Sequence, residues 1–330
     1  MREPLLFLGK KLLRAVLLLL GVSLAAFLLL CASPLDPLQS NVGQVALGSM
    51  SPEQIARLEA YWGVDQPPLE RYLGWLSSVL QGDFGTSLLY RQPLLAVIGE
   101  RLQSSLWLLA AAWLLSGILG LCLGMVAGTF QGRLPDRLIR GYCLLISSTP
   151  VFWLALLFLL VFSVWLGWLP IGLSVPIGLE EASVTWVDRL RHGILPCLTL
   201  SVTGVANIAL HTREKLIDVL SSEYVLFARA RGEGKASLVL RHGLRNVAVP
   251  AVTLQFGSIS EIIGGSVLVE QVFSYPGLGQ AAVTAGLGSD LPLLLGITVV
   301  TSALVFAGNL VADLFYGVID PAQRRKGGRL

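Results

Sequence analysis

Six apolar runs dominate this sequence, and each is long enough to cross a bilayer as a helix: Leu12 to Ala32, Ser104 to Gly128, Gly141 to Leu166, Ile194 to Leu210, Val247 to Phe273 and Leu291 to Tyr316. A hydrocarbon core of about 30 Å takes about 20 helical residues to cross, because a helix satisfies its own backbone groups where no water can. The runs explain the composition. Of the 330 residues 54% are hydrophobic and 14% are charged, against about 25% charged in a soluble domain. That balance excludes a disordered chain, argues against a nucleic-acid partner, and predicts an all-α polytopic membrane protein with six transmembrane helices in the lipid bilayer.

An even number of crossings puts both termini on one side. If that side is the cytoplasm, the inner segments hold eighteen of the 24 Lys and Arg residues, seven of them in one loop, Thr212 to Asn246. Only Arg57, Arg71, Arg91, Arg101, Arg189 and Arg191 then lie outside, so the excess of inner cations predicts cytoplasmic termini. Lys10, Lys11 and Arg14 stand at the head of the first run as they would in a signal peptide, but the run is long enough to span. Leu28, Leu29 and Leu30 before Cys31 make a poor cleavage context, so an uncleaved first helix is expected. Cys31, Cys122, Cys143 and Cys197 lie in or beside the apolar runs without a Cys-x-x-Cys pair and read as small apolar residues.

The outer segment from Ser33 to Arg101 is too long for a simple connection and carries helix signals. Ser51-Pro52-Glu53-Gln54 reads as a capping box with Pro at the first helical position. From Pro68, the residues Leu69, Tyr72, Leu73, Leu76 and Leu80 recur at helical spacing before Gln81-Gly82. The expectation is an amphipathic hairpin on the outer face, either a packed cap or a docking surface for an external partner.

Two stripes mark the spans. Ser116, Gly120, Gly124 and Gly128 repeat every four residues and read as a close helix contact. Thr199, Thr203, Asn207 and His211 repeat likewise, running polar groups through the fourth span. In the sixth, Thr298, Ser302, Asn309 and Asp313 fall within about 60° on a helical wheel, and Glu261 in the fifth shares a face with Gly257 and Gly265. Polar and ionisable groups at that depth face a bundle interior or an aqueous path. Thr203, Asn207, His211, Glu261, Asn309 and Asp313 are therefore translocation-path candidates. The competing reading is that each sits near a helix end or bonds across the bundle.

Enzyme chemistry is hard to find. Gly9-Lys10 is followed by Lys11 and Gly234-Lys235 by Ala236, so no phosphate-binding loop with its Ser/Thr is present, and neither is a His-Glu-x-x-His or Gly-x-Ser-x-Gly motif. No cofactor or metal site is expected. The informative segment is the basic loop Thr212 to Asn246. Within it Ser221 to Gly232 reads as a short helix capped by serine and stopped by glycine, with Tyr224, Phe227, Ala228 and Arg231 at three- and four-residue spacing. A second helical stretch follows from Lys235 to Leu244. The first helix can present aromatic rings and an arginine to a groove on a partner, or it can lie solvated on the membrane surface.

Glu223-Tyr224-Val225, then Ala228-Arg229-Ala230-Arg231-Gly232, then Arg241-His242-Gly243-Leu244-Arg245-Asn246 and Pro250 resemble the coupling loop of ABC importer permeases of the peptide and nickel branch. Further marks of that branch run along the chain: Ser33-Pro34-Leu35-Asp36-Pro37, Gly63-Val64-Asp65-Gln66-Pro67, Gly82-Asp83-Phe84-Gly85, Pro150 to Leu154, Gly167 to Pro170, Glu270 to Gly279 and Asp320 to Arg325. The resemblance implies a type I importer permease fold with a helical external loop after the first helix. It also implies a division into residues 1–101, the first helix and outer loop, and residues 102–330, a core of five helices with its coupling loop at 212–246. The implied partners are a second homologous permease subunit, two cytoplasmic ATP-binding subunits and a periplasmic or extracellular solute-binding protein, at a bacterial inner membrane. Glu223, Tyr224, Phe227, Ala228, Arg229, Arg231 and Gly232 would couple to the ATPase, with Gly232 there for its backbone freedom. Two departures are Leu35 and Glu233, where the family often has glycine and leucine.

The substrate expectation covers nickel or a metal chelate and di- or oligopeptides, with Gly132 to Asp136 and Glu261 to Gly265 resembling the nickel members. The alternative, a self-sufficient channel or secondary transporter for small polar solutes, predicts inverted internal repeats, and none is convincing. A scaffold without transport would not need the polar stripe of the fourth span.

Overall fold

The computed structural model describes residues 2–32, 50–62, 67–178 and 183–319, so Ser33 to Pro37, Gly63 to Gln66 and the tail from Asp320 lie outside the described residues. The described chain is helical, and an isolated antiparallel bridge joins Thr86 to Pro93. In order the helices are α1 (Arg2–Cys31), α2 (Pro52–Trp62), α3 (Pro68–Leu80), α4 (Leu94–Thr129), α5 (Leu134–Ser147), α6 (Val151–Trp165) and α7 (Trp186–Leu220). They continue with α8 (Glu223–Ala230), α9 (Lys235–Gly257), α10 (Ile259–Val272), α11 (Leu278–Leu287) and α12 (Leu291–Ile319).

α1, α4, α7 and α12 are each long and apolar enough to cross a membrane, and two bent pairs, α5 with α6 at 110° and α9 with α10 at 48°, bring the number to six where each pair counts as one span. The third and fifth apolar runs are thus broken rather than continuous. At the first break the Ser148 and Thr149 hydroxyls donate back to the Leu144 and Leu145 carbonyls at 3.0 and 2.7 Å, and Pro150 has no N–H with which to continue α5. At the second, α9 stops at Gly257, and the Ser258 hydroxyl donates to the Gln255 carbonyl at 2.8 Å. α4 has 36 residues and α7 has 35. At 1.5 Å per residue both run to more than about 50 Å and project beyond a core of about 30 Å.

The chain forms two compact units, one of residues 1–105 and 276–306, the other of 106–275 and 307–330. The boundary expected after residue 101 falls inside α4. In the first unit, α3 packs on α1 through Tyr72, whose ring centroid lies 5.4 Å from that of Phe27 and whose hydroxyl is 2.8 Å from Ser23 Oγ. The capping box of α2 forms as the sequence predicts: Ser51 N–H donates to Gln54 Oε1 at 2.9 Å and Gln54 N–H to Ser51 Oγ at 3.3 Å. Buried Asp290 caps α12 by accepting from Leu293 N–H at 3.1 Å, and it accepts from the Ser87 hydroxyl at 2.5 Å and Leu89 N–H at 3.1 Å. One carboxylate so pins the loop after Gly82–Gly85 to the start of α12. Leu94, Val97, Ile98, Leu278, Ala281 and Leu293 pack beside it.

The second unit is built around α7. Along α4 the stripe of small residues meets it: a Cβ on Gly120 would fall 2.7 Å from Ile208 Cβ, on Gly124 2.5 Å from Thr212 Cβ, and on Gly128 2.9 Å from Leu216 Cδ2. The stripe is a packing seam, as the sequence indicates, and any larger side chain there would push the two backbones apart. Trp113 of α4 donates its indole N–H to the Gln255 carbonyl of α9 at 2.8 Å, and the Gln255 amide returns a bond to the Trp113 carbonyl. The turn after α6 is tied to the end of α10 by Leu173 N–H donating to the Phe273 carbonyl at 2.8 Å.

Candidate functional site

The basic segment from Thr212 to Asn246 is more helical than the sequence reading allows. α7 runs unbroken to Leu220, so Thr212 to Leu220, expected as loop, extends the fourth span, and Lys235 to Asn246 already belongs to α9. Between them stands α8. Ser222 occupies its N-cap position but does not cap it, because its hydroxyl donates back to the Val219 carbonyl at 2.5 Å. The glycine stop forms as expected. Gly232 takes φ +91°, Gly232 N–H donates to the Arg229 carbonyl at 3.0 Å and Glu233 N–H to the Ala228 carbonyl at 3.2 Å, the paired bonds of a Schellman cap. A residue with a Cβ is strained in that conformation.

α8 has two unlike faces. Val225 is 0% exposed and Ala228 7%, packed with Val219 and Leu238 so that the helix is fixed to the end of α7 and the start of α9. Ala228 therefore does not join the presented face. Tyr224 at 50% and Phe227 at 66% do, with Glu223, Arg229 and Arg231 also exposed. His242 supports this arrangement from α9: its ring centroid lies 6.3 Å from that of Tyr224, and its Nε2 lies 3.2 Å from Glu233 Oε2. Glu233, the departure from the family pattern, thus closes the α8 turn onto α9.

Below α8, three helices converge on one side chain. Leu216 of α7 is fully buried; a Cβ on Gly128 of α4 would meet its Cδ2, and a Cβ on Gly243 of α9 would lie 2.6 Å from its Cδ1. Close by in sequence, Arg213 donates from Nε and Nη2 to the two oxygens of Asp136 on α5 at 2.5 and 2.8 Å, and Gly132 N–H adds a bond at 2.8 Å. Asp136 lies in the cationic segment ahead of the third span. The Arg213 guanidinium holds its carboxyl down to about 2, against the opposing effect of burial. Sequence reading missed Leu216, this pair and Asp290. Only Ser289-Asp290 before an apolar run carried a local signal, that of a helix N-cap.

The path candidates fall on open surface. On α7, Asn207 and His211 are exposed and Thr203 partly so, while Thr199 is buried. Gly265 of α10 contacts Leu200, a Cβ there lying 3.6 Å from Leu200 Cδ2. Thr203 lies one turn further along α7 from that contact and Glu261 one turn back along α10, and Glu261 is exposed. α12 crosses α10 where a Cβ on Gly308 would fall 2.5 Å from Ile259 Cγ2. Beside that crossing the Ser260 hydroxyl donates to Asn309 Oδ1 at 2.9 Å. Asn309 is thus held at Ser260, the residue before Glu261, and Asp313 is exposed one turn further along α12. Among the described residues no group of three His, Cys, Asp or Glu could hold a metal ion.

These features are those of a membrane protein with a short two-faced helix between long spans and with polar groups exposed along those spans. The chain matches the family of binding-protein-dependent transport system inner membrane components over residues 120–325 and the N-terminal part of such components over residues 4–102. It belongs to that family and is a transmembrane permease subunit of an ATP-driven ABC importer, a multi-pass inner-membrane protein of type I fold. It is 34% identical over 319 residues to the oligopeptide transport system permease protein AppB of Bacillus subtilis (strain 168), covering 94% of this chain and 97% of that protein. It is 35% identical over 317 residues to the glutathione transport system permease protein GsiC of Escherichia coli (strain K12), covering 96% and 98%.

Proposed function

We propose that this permease imports peptides, pairing with a second permease subunit to enclose the path, with two cytoplasmic ATP-binding subunits and with an external solute-binding protein. The two relatives above are named for an oligopeptide and for glutathione, itself a small peptide. One of the two segments that resembled nickel members has a structural use: Asp136 of Gly132 to Asp136 is spent on Arg213. That segment carries no substrate information, and the relatives favour peptides over nickel.

One observation carries the coupling role: α8 is fixed by Val225 and Ala228 on one face and shows Tyr224 and Phe227 on the other. Two rings exposed on a helix of eight residues suit insertion into a groove, as peptide helices bind. ATP hydrolysis resides on the partner subunits, whose closure pulls on Glu223, Tyr224, Phe227 and the rim arginines Arg229 and Arg231. Because α8 is packed on α7 and α9, its displacement moves α7, which carries Asn207 and His211, and α9, which leads through the bend at Ser258 into α10 and Glu261. The exposed polar face of α7 then lines the path, where leaving those groups in lipid would be costly. The bend at Gly257 and Ser258, close to Glu261, supports the same placement. Both termini lie in the cytoplasm on this reading, on the side of α8 where the basic residues gather.

The test is Gly232→Pro, which removes the cap and the left-handed turn. The variant should reach the membrane in normal amount but fail to take up labelled peptide in cells that hold the whole importer. Normal uptake would overturn the coupling assignment. Uptake of a nickel chelate in place of peptide by the wild type would overturn the substrate assignment alone.

A further inference from the structure

Beside α8 lies a groove of about 430 Å³ between the ends of α4 and α7, lined by Phe130, Arg133, Ile217, Leu226, Arg229 and Lys235 among others. Three of its side chains are cationic and none is a carboxylate. Lys235 Nζ stands 4.8 Å from the centroid of the Phe130 ring. Of the acids near it in sequence, Asp136 holds Arg213 and Glu233 faces His242, while Asp218, next to Ile217 on α7, is exposed. The C-termini of α4 and α7 point towards the groove, but each brings only about half a negative charge.

We propose that this groove binds the phosphate headgroup of an anionic membrane lipid. The exposed apolar surface of α4 continues through Val126 to Phe130 at the groove's edge, and Leu134, next to Arg133, is exposed too. Acyl chains can follow that surface while the phosphate meets Arg133 and Lys235, the arrangement by which basic pockets at the ends of spans select lipids. Arg229 is shared with the coupling helix, so an occupied groove would brace α8 against the end of α4. A free phosphate would satisfy the cations but would leave the apolar rim bare.

Native mass spectrometry of the full-length chain tests this, after delipidation in detergent and titration with phosphatidylglycerol, with phosphatidylethanolamine and inorganic phosphate as separate arms. The wild type should retain phosphatidylglycerol in preference to phosphatidylethanolamine. Arg133→Gln combined with Lys235→Gln should weaken that binding by about thirtyfold, while Arg133→Lys with Lys235→Arg preserves it. If the double glutamine variant does not fold, exposed Lys235→Gln alone should weaken it by about fivefold. Equal retention of the two lipids, equal binding by wild type and glutamine variants, or displacement of the lipid by inorganic phosphate would overturn the proposal. So would loss of co-purifying ATP-binding subunits with lipid binding unchanged, which would make the groove a protein contact.

Discussion

The two faces of α7 carry similar residues with opposite fates. On one face Thr199 and Arg213 are enclosed: Thr199 donates to the Leu195 carbonyl at 2.8 Å, and Arg213 is held by Asp136. On the other, Asn207 and His211 look outward from a helix whose remaining surface is largely packed, and half-buried Thr203 between the two faces donates to the Leu200 carbonyl at 2.8 Å. A polar group that is buried and bonded holds helices in register; one left open along a membrane span needs water or a partner to face. Residue type alone does not separate these roles. Satisfaction does, and it can be tested on each face.

The largest effect belongs to the closed face. Arg213→Ala leaves the Asp136 carboxylate buried without its counter-charge and should lower stability by about 4 kcal/mol, in line with other broken buried pairs. Thermal unfolding of the purified chain measures it. Adding Asp136→Ala should return most of the loss, because the cost lies in the orphaned charge. If the double variant is no more stable than the single, the pair is not the source of the effect. Leu216→Ala should cost somewhat less, about 3 kcal/mol, from the cavity left between Gly128 and Gly243. The same melting curve reports it, and a loss below about 1 kcal/mol would mean that the three helices close over the gap.

The pair also has a pH signature. Its carboxyl sits near 2 in the folded chain and at 3.8 when unperturbed, so the folded state binds the proton less well than the unfolded one. The stabilisation is therefore fully present above about pH 4 and is lost as the pH falls towards about 2, amounting to about 2 kcal/mol. The stability difference between wild type and Asp136→Asn should be constant from neutrality down to about pH 5 and shrink below it. A difference that is flat down to pH 3 would show that the Asp136 carboxyl is not held low.

What the sequence made legible follows from the range of each interaction. Six crossings, the capping box at Ser51, the small-residue seam of α4 and the glycine stop at Gly232 all rest on neighbours within a turn or two, which periodicity displays. The breaks at Pro150 and Gly257 were less visible, because apolar residues continue through both and hydropathy alone reads them as single spans. Ser222 has the right residue type for a cap, but its hydroxyl had another acceptor within reach. Asp136 and Arg213 are 77 residues apart in sequence, with no local pattern linking them. The polar stripe was readable as a stripe, yet its division into enclosed Thr199 and open Asn207 depends on Leu200 meeting Gly265 across two helices.

The smallest change in stability belongs to the open face, and there it separates the alternatives. Asn207→Leu with His211→Leu alters exposed side chains that hold nothing together, so stability should stay within about 0.5 kcal/mol of wild type. If the face lines the path, two leucines replace polar groups with apolar ones along it, and peptide uptake should fall at least about tenfold, equivalent to about 1.4 kcal/mol in the transport barrier. If the face touches lipid, the same leucines remove polar groups from hydrocarbon, which should raise stability and leave uptake unchanged. Measured together, uptake and melting temperature move in different directions under the two placements. A stabilised variant with normal uptake would remove Asn207 and His211 from the path and leave Thr203, Glu261, Asn309 and Asp313 as its remaining polar candidates.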